Sequence, residues 1–218
     1  MKKNTTINKV GMGLFLSLAT LMGQFSNGGT FEDARKKVSE TLKNVSEFDY
    51  GLVGSWNAGC HDIELLDIQG IKLGSVQREI SFLPTGLVTS TETFFLKASC
   101  QEPALEYRLI GVASNFAEKN NSGIHLLDVE VRHQFLKVRN ESVVKILNVV
   151  NSCGVNNWVV DQEKDIAPLD ASMLKAPRTF HDIYDVKSNS LRMGRASHNL
   201  TIMNPNDPEQ IDPKYVFK

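Results

Sequence analysis

From Gly51 onward the chain is a succession of short runs rich in β-branched and aromatic residues, each separated from the next by turn-forming residues. The runs are GLVGSWNA, SVQREISFL, LVTSTETFFL, EYRLIGVAS, GIHLLDVEVRHQFLKV, SVVKILNVV, NNWVVDQ, FHDIYDV and SLRMGRA, with a tenth at HNLTIMN. Pro84-Thr85-Gly86, Lys119 to Gly123 and Arg139-Asn140-Glu141 leave only a few residues between neighbouring runs. Connections that short join adjacent antiparallel strands, whereas a parallel pair needs a long crossover. No second helix in the sequence is long enough to supply one, which argues against a doubly wound sheet. Eight to ten sequential antiparallel strands either close into a barrel or fold into a sandwich, since open edges invite aggregation, and closure is favoured. The expected fold is mainly β, an antiparallel up-and-down meander closed into an 8- to 10-stranded barrel behind one N-terminal amphipathic helix.

That helix is read at Phe31 to Val45, where Phe31, Ala34, Val38, Leu42 and Val45 fall on one face of a 3.6-residue period with Thr30 as N-cap. Packing on its own domain is favoured over partner binding. Before it, Lys2, Lys3 and Lys9 precede the uncharged apolar stretch Val10 to Gly23, the pattern of a secretory signal peptide and too short to span a bilayer comfortably. Cleavage is expected near residues 23–26. The segment takes three lysines and no acid with it, moving the formal charge from -1 to -4. A mildly acidic chain without basic runs is a poor partner for nucleic acid or anionic lipid. The organisation expected is thus a signal peptide at 1–26, a helix and linker at 27–50, the barrel at 51–196 and a C-terminal extension at 197–218.

Alternation within the runs assigns faces. Val88, Ser90, Glu92, Phe94 and Leu96 share one side of the third run. In the fifth, His125, Leu127, Val129, Val131, His133 and Phe135 share the apolar side, so His125 and His133 are either hydrogen-bonded residues at the rim of a core or ligand contacts in a cavity. Arg78 shares a face with Val76, Ile80 and Phe82. If that face is inward, a guanidinium enters the interior and needs a carboxylate from the protein or from a ligand; if it is outward, Arg78 is solvated.

A helix, then Gly54-Ser55-Trp56 on the first strand, then a hairpin-linked meander resembles the lipocalins and the wider calycin superfamily, over roughly Gly51 to Ala196. The resemblance implies structural roles for Gly54 and Trp56, with Arg192 or Arg195 packed on the indole. It implies a barrel holding a small hydrophobic ligand, with Arg78, His125 and His133 as the contacts to inspect. A looser similarity is to bacterial exported lipocalin-like proteins, which carry a Cys soon after the first-strand Trp and another after the third strand. Trp56, Cys60 and Cys100 stand in that order.

Strand parity leads to the same two cysteines. In an up-and-down meander from Gly51, Cys60 ends the first strand and Cys100 the third, on one rim, while Cys153 falls on the other. Cys60 with Cys100 is therefore the expected disulfide, with two buried thiols as the alternative, in a periplasmic or secreted compartment that permits the bond. No G-x-S-x-G, H-E-x-x-H, P-loop or C-x-x-C occurs, and the five histidines are scattered, so neither catalysis nor a cofactor is expected. His-Asp-Ile recurs at His61 and His181, but adjacent strand residues point to opposite faces, and no metal site is expected from it. Three roles follow: an exported binding protein for a small hydrophobic molecule; a structural or protein-interaction module on a filled barrel in the periplasm or cell envelope; and an outer-membrane barrel, disfavoured by charges on both faces of several strands.

Overall fold

Hairpin-length connections put each strand beside its predecessor, and the computed structural model follows that order. It describes residues 29–42, 49–194 and 210–218, apart from 69, 115, 121 and 168–178. The signal segment, Val45 at the end of the expected helix, the run at HNLTIMN and Arg195 lie outside the described residues. The strands are β1 (Gly54–Ile68), β2 (Ile71–Phe82), β3 (Leu87–Lys97), β4 (Gln101–Ser114), β5 (His125–Val138), β6 (Glu163–Asp165), β7 (Thr179–Lys187), β8 (Ser190–Gly194) and β9 (Ile211–Phe217). All pairings are antiparallel, in the order β1-β2-β3-β4-β5-β7-β8-β9. The short β6 pairs with the last residues of β5 while β7 takes its first six. Asn57 of β1 and Lys218, just after β9, exchange backbone hydrogen bonds of 3.0 Å each, and the sheet is nearly closed into a barrel.

Three expectations change. The run SVVKILNVV is not a strand: Glu141–Val149 forms helix α2, following α1 at Phe31–Leu42. Asn140 caps it by accepting from the amides of Ser142 and Val143 at 2.9 and 3.4 Å, and Val143 and Leu147, one turn apart, are both buried. A good cap and an apolar i, i+4 pair outweigh the β-preference of valine, which is a weak prior. NNWVVDQ is a loop, because the Asn148 side chain brackets the Trp158 backbone, accepting from its N–H at 2.7 Å and donating to its carbonyl at 3.0 Å. Finally, the sheet does not stop at Ala196. Ile211–Phe217 is its last strand, with Pro213 on the thinly paired edge where a missing N–H is tolerated.

Two apolar clusters lie on opposite faces of the sheet. The interior cluster holds Val76, Ile80, Val88, Leu109, Val129 and Phe217, among others, and Leu52 and Trp158 belong to it from the connecting segments. Outside, Phe31, Ala34, Val38 and Leu42 of α1 cover Leu87, Ile110 and Phe135, so the helix packs on its own domain. Thr30 caps it, its hydroxyl accepting from the Asp33 amide at 3.3 Å while Asp33 accepts from Thr30 in return. That exchange and the nearby Lys37 and Lys36 hold the Asp33 carboxyl below its usual range.

Ile110 pairs with His133, but Gly111 pairs with Val131, so Arg132 is an extra residue in β5. This bulge reverses the alternation. Leu127, Val129 and Val131 face the interior before it; Leu136 and Val138 do so after it, and Phe135 turns outward to α1. Gly111 makes room for the bulge: a Cβ there would lie 2.5 Å from Val129 Cγ1 and 3.0 Å from the Glu130 carbonyl oxygen. Among the described residues, no helix is long and apolar enough to cross a membrane.

Candidate functional site

Alternation along β2 turns Val76, Arg78, Ile80 and Phe82 to the same side, and all four are buried. Arg78 therefore does enter the barrel. Directly across the β2–β3 ladder stands Glu92, on the face it shares with Val88 and Phe94, and Arg78 Nε lies 3.3 Å from Glu92 Oε1. Their side chains are only 8% and 1% exposed. The carboxylate that the guanidinium requires is thus supplied by the protein.

Around this pair runs a belt of polar groups. The Arg78 guanidinium sits 4.0 Å from the centroid of the Tyr215 ring, which carries it by cation–π attraction. His61 meets the same ring edge-on at 4.7 Å, and its Nε2–H donates to the Ala58 carbonyl at 2.6 Å. On the other side, Glu92 pairs in register with Tyr107, whose hydroxyl donates to Gln134 Oε1 at 3.1 Å. Asp182 also faces inward, in register with Leu127 and two residues from Tyr184 on the same face. Its Oδ1 accepts from the amides of Ile183 and Gly194 at 2.7 and 3.1 Å. A buried ion pair gains little over an apolar pair of equal volume, because desolvation cancels most of the Coulomb attraction. The pair and its neighbours set a few polar groups among apolar side chains, the chemistry that a ligand with an apolar body and a polar head would match.

The other two expected contacts go elsewhere. His125 stays on the inner face, stacked on Tyr184 at 5.1 Å and 3.3 Å from the Phe116 carbonyl through Nδ1. The ladder through Arg78 runs to Glu92, Tyr107 and Leu136, at the opposite end of β5, so His125 and Arg78 do not meet. Tyr184 donates to Asp49 Oδ2 at 2.5 Å, and burial together with that carboxylate pushes its hydroxyl far above the usual tyrosine range. His133 is a correction. The Arg132 bulge puts it on the outer face, where Nδ1 lies 3.2 Å from Asp165 Oδ2 and the ring stacks beside Phe135. Gln134 takes the inward position instead.

The structural motif residues are accounted for locally. Gly54 opens β1 with φ +141°, a conformation side chains rarely adopt, and Trp56 donates through Nε1 to the Leu52 carbonyl at 2.8 Å, fixing the turn at Tyr50–Leu52. Arg192 does not pack on Trp56; its guanidinium donates to Asp185 across the β7–β8 pair. Cys60 and Cys100 are joined, with an S–S distance of 2.10 Å, and Cys153 is buried away from that bond. His61 and His181 have separate surroundings, the latter 2.6 Å from Asp128 through Nδ1. Among the described residues, no three His, Cys, Asp or Glu side chains are grouped to hold a metal ion.

Glu92 was visible in the sequence as an acid among apolar residues, but its partner could not be chosen without the β2–β3 register. Tyr215 belongs to the terminal Tyr215-Val216-Phe217-Lys218, which in the sequence pointed only to the outer-membrane alternative and, assigned to no strand, gave no link to Arg78. No protein-family model matches the sequence, and no curated protein matches it.

Proposed function

We propose that this chain is an exported, lipocalin-like binding protein that takes a small hydrophobic molecule into its barrel and performs no catalysis, in the periplasm or secreted. The observation that carries this reading is the Arg78–Glu92 pair, buried in the mainly apolar interior and bordered by Tyr215 and the Tyr107–Gln134 bond. Apolar walls with a few placed polar groups are the general form of a small-molecule site, and a barrel of this strand number is the size that holds one small ligand or none. Export is supported by the lysine-led apolar segment before residue 26 and by the joined Cys60 and Cys100, since disulfides persist in oxidising compartments.

Native mass spectrometry of the purified protein tests this. A stoichiometric bound mass, released on unfolding and identified as a lipid-like molecule, is expected. Protein that carries no ligand and takes up no apolar probe would overturn the reading.

One observation favours a second role, the filled-barrel interaction module. Leu52 and Trp158, from segments outside the sheet, are both fully packed into the interior cluster, and Val149, Val150 and Val159 are exposed beside Trp158. Under this role, Val149→Asp with Val159→Asp abolishes a protein contact and leaves the fold intact.

A further inference from the structure

Resting on the ligand-binding reading, we infer that the interior selects an uncharged amphiphile, of the long-chain alcohol or ester class, over the corresponding carboxylate, because the charge of Arg78 is already matched by Glu92. Among the described inward residues, Arg78 carries the guanidinium that a ligand carboxylate would seek. Its Nε lies 3.3 Å from Glu92 Oε1, and the face of the Tyr215 ring covers the guanidinium at 4.0 Å.

Among the described residues, Arg78 is the buried cation that faces the interior, and Glu92 is the carboxylate paired with it. The nearby His61 is tied to the Ala58 carbonyl, and Lys214, exposed at the β1–β9 seam, donates to the Asp62 carbonyl at 2.8 Å. An incoming carboxylate would have to share the Arg78 guanidinium with Glu92. An uncompensated buried charge is among the costliest groups to place in a protein interior. A hydroxyl or ester asks for only one or two hydrogen bonds, and the Glu92 carboxylate and the Tyr107–Gln134 pair are acceptors and donors of that kind. Glu92 thus serves as a filter on ligand charge, a specificity determinant rather than a direct requirement for apolar binding.

The test is isothermal titration calorimetry of the purified protein with decanol and with decanoate at pH 7.5. Wild type is expected to bind decanol at least about tenfold more tightly, a difference of roughly 1.4 kcal/mol. In Glu92→Gln the guanidinium loses its carboxylate, and decanoate is expected to gain at least about tenfold relative to decanol. Equal binding by wild type, or tighter binding of decanoate, would overturn the inference while leaving ligand binding intact. Failure of both probes to bind wild type would remove the binding reading and this inference with it. The wild-type comparison decides the matter even if the variant does not fold; a folded variant whose preference is unchanged also overturns the inference.

Discussion

Replacing Arg78 by Met, of similar length and without charge, strands Glu92 in a place where its side chain is 1% exposed. Removing one partner of a buried ion pair costs roughly 3–5 kcal/mol, because the remaining charge loses its compensation. The loss is capped by an escape: the orphaned carboxyl can take up a proton, which for a glutamate of ordinary acidity costs about 4 kcal/mol at pH 7 and about 1.4 kcal/mol less for each pH unit below that. The reverse removal, Glu92→Leu, is milder. Arg78 keeps the Tyr215 ring at 4.0 Å, and a desolvated cation–π contact returns about 2 kcal/mol. Arg78→Met with Glu92→Leu leaves no charge behind, and the pair should come within about 1 kcal/mol of wild type. Urea unfolding of the four proteins at pH 7 with the disulfide intact, followed by tryptophan fluorescence, closes the double-mutant cycle. The reasoning fails if Arg78→Met costs less than about 1 kcal/mol, or if the double variant loses the sum of the two single losses.

Gly111→Ala should destabilise by about 1–3 kcal/mol in urea unfolding, because the new methyl would press on Val129 and on the Glu130 backbone, which cannot rotate away. Cys100→Ser opens a 40-residue link and is expected to cost roughly 3–4 kcal/mol, seen as a lower urea midpoint with unchanged secondary structure. Tyr184 is held protonated in the fold but ionises near pH 10 when unfolded, so the folded protein keeps a proton that the unfolded chain loses. Stability is full below pH 10 and falls above it by up to about 1.4 kcal/mol per unit, and Tyr184→Phe should shallow that alkaline decline.

How far the sequence could be read depended on whether the deciding contact was local. The α1 face from Phe31 to Leu42, the Thr30 cap and the β2–β3 and β4–β5 hairpins follow from residues a few positions apart and appear as expected, whereas Arg139-Asn140-Glu141 leads into α2 instead of a hairpin. The expected pair Cys60 and Cys100 is joined, but not on the expected ground: β1 runs on to Ile68, so Cys60 lies within the strand, opposite Gln77, rather than at its end. Parity fails where it is interrupted. His133 and Gln134 exchange faces because Arg132 is a bulge, and a bulge is set by register against β4, which the β5 sequence alone does not display. The stretch after Asn140 reads as a valine-rich strand until Asn140 is recognised as a helix cap. For the site, Arg78 could be placed on its face, but Glu92 and Tyr215 reach it only through neighbouring strands, one of them more than a hundred residues away.

The central claim is that a small apolar molecule binds inside the barrel beside Arg78. Titrating isotope-labelled protein with decanol and following its NMR signals tests this most directly. The account predicts that resonances of inward residues, Val76, Arg78 and Gln134, shift and saturate together, while those of His133 and Phe135 on the outer face stay in place. Shifts confined to the outer face under α1, or no saturable shift at any inward residue, would contradict it.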